Sequence, residues 1–160
     1  MLGTRDAAIP QVPPSAELNR RQMLVTVAAV VGAVHMRPAR ATPETMAGAI
    51  RSFTGSTSPR EGKVRIEVAP LVDNGNTVPV KISVPGAPAG EVMAIALFNE
   101  RNPQSDVARF DFGPRAATRN VSTRIRLATT QQLVAVARLT DGSCWSHAVE
   151  VVVVLAACIE

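Results

Sequence analysis

The sequence predicts an all-β sandwich of about seven strands, entered through one short helix. Three observations predict it. From Lys63 onward apolar residues recur with a period of two rather than 3.6. Clusters of turn-forming residues separate these stretches at short intervals. No helical segment is interleaved among them. Together these argue for an antiparallel sandwich of immunoglobulin-like type.

The first forty residues read as a targeting segment. Arg20 and Arg21 stand directly before an apolar run from Met23 to Met36. That run has about 14 residues, short of the roughly 20 needed to span a bilayer. Ala39-Arg40-Ala41 then supplies a small-x-small site of the kind signal peptidase accepts. Paired arginines before a modest apolar stretch resemble the bacterial twin-arginine export signal. Residues 1–41 are therefore expected to be a cleavable leader, removed after Ala41, which places the mature protein in the periplasm. An N-terminal anchor or a buried helix is the competing reading.

The mature chain would begin at Thr42 and contain about 119 residues, one domain with enough buried surface to fold without disulfides. Its opening is helical: Thr42 caps, Pro43 suits the first position, and Met46, Ile50 and Phe53 share a face. Gly55 ends the helix, and a polar linker from Ser56 to Gly62 follows. Val64, Ile66 and Val68 mark the first strand, and Val78, Val80, Ile82 and Val84 the second. The turn cluster Asp73-Asn74-Gly75-Asn76 lies between them. Val92–Phe98, Val107–Phe112, Val121–Leu127 and Leu133–Leu139 are the next four, with Asn102-Pro103 and Asp141-Gly142 as breaks. The seventh runs from Trp145 to Ala156. The expected domain is thus 42–155, with 156–160 as a terminal arm.

Two strands break the alternation. Leu133 to Ala137 and Val151 to Leu155 are apolar at every position. One face of a two-layer sandwich should meet water, so something must cover the second face of each. The helix, the linker and a partner subunit are the candidates.

Charge excludes a class of function. Residues 1–41 hold five arginines against Asp6 and Glu17, a net of +3, while the rest carries only +1. Removing the leader removes the basic signature. With no Tyr, one Trp and four Phe there is no stacking platform for nucleic acid either. Arg124 and Arg126 fall on one strand face, where a solvated or interface-paired role competes with an anion site.

Catalytic inventory is thin. The mature chain contains one histidine, His147, placed in a strand, and two cysteines, Cys144 and Cys158. No nucleophile elbow, phosphate loop or EF-hand spacing is present. Three or four zinc ligands cannot be assembled from so few His and Cys, so no metal and no cofactor is expected. Cys144 and Cys158 are separated by fourteen steps of mostly extended chain, up to about 46 Å at roughly 3.3 Å each. A disulfide requires Cα atoms within about 7 Å. Unless the arm folds back, Cys144 is a small structural residue and Cys158 a free thiol on a mobile end. An intermolecular disulfide and an incidental cysteine remain as competing readings of Cys158.

The stretch from Gly62 to Val154 resembles the SoxY sulfur carrier subunit of the periplasmic Sox thiosulfate-oxidising system. The resemblance rests on Asp73-Asn74-Gly75-Asn76-Thr77-Val78-Pro79-Val80, Asn102-Pro103, Ser122-Thr123-Arg124-Ile125-Arg126-Leu127-Ala128 and Asp141-Gly142-Ser143. A valine-rich strand and a cysteine near the end complete it. It implies an immunoglobulin-like sandwich paired with a second β-sandwich subunit, SoxZ. It also implies that Cys158 holds a sulfur substrate covalently while separate periplasmic enzymes oxidise and hydrolyse it. Where that family ends in Gly-Gly-Cys-Gly-Gly, this chain has Ala156-Ala157-Cys158-Ile159-Glu160 and resembles a related variant with that arm. Alanines stiffen the arm relative to glycines. Ile159 widens it, and Glu160 adds negative charge that disfavours the thiolate and repels anionic sulfur species. The implied customer is a different enzyme or sulfur species, with Ile159 and Glu160 as recognition elements. A structural or adhesion sandwich and a thiol redox enzyme are the competing function classes.

Overall fold

The computed structural model describes residues 42–157, apart from 56, 89–90 and 117–118. Helix α1 (Pro43–Thr54) begins as the sequence dictates. The Thr42 hydroxyl accepts the Thr45 N–H, and the Thr45 hydroxyl accepts the Thr42 N–H, a reciprocal cap built from two threonines. Glu44 sits in the first turn, and its hydrogen bond to Thr42 holds its carboxyl below the ordinary range. Gly55 closes the helix in the left-handed conformation (φ 63°), its N–H bonded to Arg51 O.

Nine strands follow: β1 (Arg60–Glu61), β2 (Arg65–Glu67), β3 (Leu71–Asn74), β4 (Val78–Ser83) and β5 (Val92–Asn99), then β6 (Asp106–Asp111), β7 (Asn120–Ile125), β8 (Gln131–Leu139) and β9 (Cys144–Leu155). The large sheet has the order β1-β9-β8-β5-β6, with β3 also paired to β9; the small sheet is β2-β4-β7. All seven expected strands are present within a residue or two of their expected ends. The two additional ones, β1 and β3, pair with β9 in parallel. Neither carries a readable hydrophobic period. β1 is a two-residue addition inside the expected linker, and β3 takes Asp73 and Asn74 from the expected turn, which contracts to Gly75-Asn76.

The two sheets close over the main core. Val78, Val80 and Ile82 of β4 face Ile95 and Leu97 of β5 and Leu133, Ala135 and Ala137 of β8. Phe110 and Phe112 pack against this core together, as their spacing predicts. One open side is stitched by His147 on β9, whose Nδ1 accepts the Ile66 N–H of β2 at 3.2 Å. An accepting Nδ1 places the ring proton on Nε2. The lone histidine of the domain is a staple between sheets.

A second apolar cluster lies on the other face of the large sheet. There Met46 and Phe53 of α1 cover Ala94, Ala96 and Phe98 of β5, Val134 and Val136 of β8, and Cys144. Phe53 meets Phe98 edge-on, ring centroids 6.0 Å apart. Arg138 and Arg109 each place a guanidinium 5.5 Å from the Phe53 ring, and Arg138 also donates to the Phe53 carbonyl at the helix C-terminus. The helix is therefore what covers the second face of β8. It does the same for β5, which is buried on both faces although its sequence did not single it out.

Truncating the central anchor should expose this layer. Phe53→Ala is expected to lower unfolding stability by about 3 kcal/mol in urea titration. It should also make Cys144 accessible to alkylation in the native state.

Candidate functional site: the root of the C-terminal arm

β9 outruns its neighbour. Its last pairing with β8 is Gln131↔Val151. Beyond that point the backbone finds other partners. Val152 N–H donates to Pro70 O (2.8 Å) and Val153 N–H to Thr130 Oγ1 (3.0 Å). β3 runs alongside through Leu71↔Val152, Val72↔Val153 and Asn74↔Leu155.

Three main chains then converge. Gly75 N–H donates to Leu155 O at 2.8 Å, Leu127 N–H to Gly75 O at 2.9 Å, and Ala157 N–H to Leu127 O at 3.0 Å. The approach is too close for any side chain at residue 75. A Cβ there would collide with Leu127 O and stand 3.0 Å from Ala157 N and 3.1 Å from Val153 Cγ1. Gly75 is not among the positive-φ residues, so room rather than conformation requires glycine here.

The segment that receives the arm is braced from its far side. Asn102 Nδ2 donates to Arg126 O (2.8 Å), and Asn102 Oδ1 accepts the Ala128 N–H (3.0 Å). Along an extended chain these groups point away from the N–H and C=O of Leu127, so the Asn102 amide substitutes for a neighbouring strand. Buried Gln131 donates to Asn102 Oδ1 at 2.8 Å and accepts the Arg101 N–H at 2.9 Å, while Asn99 Oδ1 accepts the Asn102 N–H. Leu127 itself is fully buried in the main core.

Around this root the surface is apolar. Leu71 (58 % exposed), Val152, Val154 (69 % exposed) and Leu155 are exposed large hydrophobics of β3 and β9. Among the described residues nothing covers the Val152 and Val154 side of β9, in the run that alternation left unexplained, unlike β8.

Of the expected arm, Ala156 is exposed while Ala157 is buried and hydrogen-bonded to the body. Cys158, Ile159 and Glu160 lie outside the described residues, as do Arg20 and Arg21 of the expected leader. Cys144 is a free thiol at the opposite end of β9, only 2 % exposed. Burial raises its pKa above the ordinary value, with Arg138 opposing and Asp141 adding slightly; such a thiol is inert. Arg124 and Arg126 are both exposed, and Arg124 pairs in register with Pro79. Sequence reasoning read Gly75 as part of a turn, Asn102 as part of a chain break and Leu127 as the end of a strand, and gave none of them a part in the site. The signal was their presence in the very segments that carry the family resemblance.

Comparison with known proteins agrees with this topology. The family model described as sulfur oxidation protein SoxY matches residues 50–158. The solved structure of the sulfur carrier protein SoxY from Chlorobium limicola f thiosulfatophilum matches with a TM-score of 0.60 and 30% identity, covering 70% of this chain and 98% of that one. A superoxide reductase (neelaredoxin) from Ignicoccus hospitalis matches with a TM-score of 0.51 and 20% identity, over 71% of this chain and 94% of the other, and shares the fold alone. No curated protein matches. The match through Cys158, together with the nine-strand sandwich that anchors the residue before it, places the chain in the SoxY family of sulfur oxidation proteins.

Proposed function

We propose that the chain is a periplasmic, non-enzymatic carrier that holds a sulfur species covalently on the thiol of Cys158 while separate enzymes act on it. The observation that carries this reading is the reach of the family match: it extends through Cys158, one residue past the last anchored position. By contrast Cys144, sealed beneath α1, has no route to a partner.

The chemistry asks little of the carrier. Joining the Cys158 sulfur to the sulfane sulfur of thiosulfate, or of a related inorganic species, forms an S–S bond, breaks the thiol S–H bond and releases its proton to water. Two electrons must leave, and a partner oxidoreductase takes them. Hydrolysis of an oxidised terminal sulfur then needs a second enzyme and a water. The body contributes presentation, and Ile159 and Glu160 contribute selection among customers. The twin-arginine leader 1–41 would deliver the domain to the periplasm. A SoxZ-like β-sandwich subunit is the proposed cover for Leu71, Val152, Val154 and Leu155, since an exposed apolar strand face of this kind invites pairing.

Intact-mass spectrometry of the native protein from sulfur-oxidising cells should show an adduct on Cys158 that reductant removes. A bare thiol under all growth conditions contradicts the carrier reading. Thiol titration of the reduced folded protein should count one reactive group, rising to two in denaturant as Cys144 is uncovered. In periplasmic extract the protein should run with a second small subunit, and substitution of Val154 by Asp should release it. Monomeric migration in both cases contradicts the pairing.

A further inference from the structure

We propose that Gly75 is a positioning residue for the carrier thiol: by omitting a side chain it lets Leu127 and Ala157 close into a backbone clamp that fixes where the arm leaves the body. The purpose of the clamp rests on the carrier reading; its existence rests on geometry alone.

Without the clamp the arm would be released where β9 ends, at Leu155. The Ala157 N–H bond to Leu127 O and the Gly75 N–H bond to Leu155 O carry the anchoring two residues further, to Ala157. Cys158 is the next residue, its Cα one trans peptide, about 3.8 Å, from that of Ala157. An enzyme that reaches it must meet the surface around the clamp, where Leu155 and Ala156 are exposed. The Ala-Ala pair suits this arrangement: Ala156 is exposed, while Ala157 is buried with its backbone nitrogen beside Gly75.

The clamp is not set by Gly75 alone. Asn102 holds the far edge of the Leu127 segment through Arg126 O and Ala128 N. Turn, asparagine and strand-end segments that are remote in sequence thus serve one local purpose.

A nitroxide attached to Cys158 tests this directly. Buried Cys144 stays unlabelled in the folded protein, and single attachment is confirmed by mass. Three variants are compared with the parent chain: Gly75→Ala, which crowds the clamp; Ala157→Pro, which deletes its donor without adding bulk at residue 75; and Gly48→Ala, a helix glycine with space for a methyl. In the first two, the ratio of hindered to free spectral components should fall about fivefold, the change expected on losing one backbone hydrogen bond. Gly48→Ala should match the parent. Should Gly75→Ala fail to fold, Ala157→Pro alone decides. Equal mobility in all folded proteins, or a fully free label in the parent, overturns the clamp. The label reports the tether without any cargo, so this outcome is separate from the mass measurement that decides whether Cys158 is loaded.

Discussion

Three peptide groups meeting at Gly75 set the geometry on which the end of β9 depends. Each bond in the relay is an ordinary backbone hydrogen bond of 2.8 to 3.0 Å, worth about 1 kcal/mol on its own. What makes them act together is the missing Cβ, because any larger residue must push apart chains that the core holds in place. Leu127 is fully buried beneath the junction, and Val153 packs partly against the same core. The clamp is thus the rim of the hydrophobic core, continued outward by main-chain bonds.

The layering explains which apolar surface is satisfied and which is not. β5 and β8 are buried twice, once by the small sheet and once by α1. The helix is short, but its cap, its left-handed terminus and the Arg138 contact to Phe53 O fix both of its ends. β9 shares the helix layer only at Cys144. Its far half is left with exposed valines and Leu155 beside the arm.

Much of the fold was legible because half-buried strands write their geometry into alternation. β4, with the pattern Val-Pro-Val-Lys-Ile-Ser, is buried at every second residue. The helix start was legible because Thr42 and Pro43 act locally. Parallel strands β1 and β3 were not, since their pairing is dictated by β9 and not by their own composition. The continuous apolar runs announced a cover without naming it: the helix lies over β8 and nothing described lies over Val154. The last strand was legible from its apolar run, but the anchoring of the chain beyond it was hidden. Gly75 reads as a turn former, and only the arrival of Leu127 and Ala157 from distant segments reveals that space is what it provides. The amide of Asn102 reads as a loop residue for the same reason.

The folded domain holds the chain as far as Ala157, through its bond to Leu127 O. Amide hydrogen exchange of the full-length protein, resolved at Ala157 by NMR, tests this most directly. That amide should be protected about tenfold or more above an unstructured peptide, comparable with the Leu155 end of β9. An Ala157 amide that exchanges at the rate of free chain, while Val152 and Val153 remain protected, would contradict it.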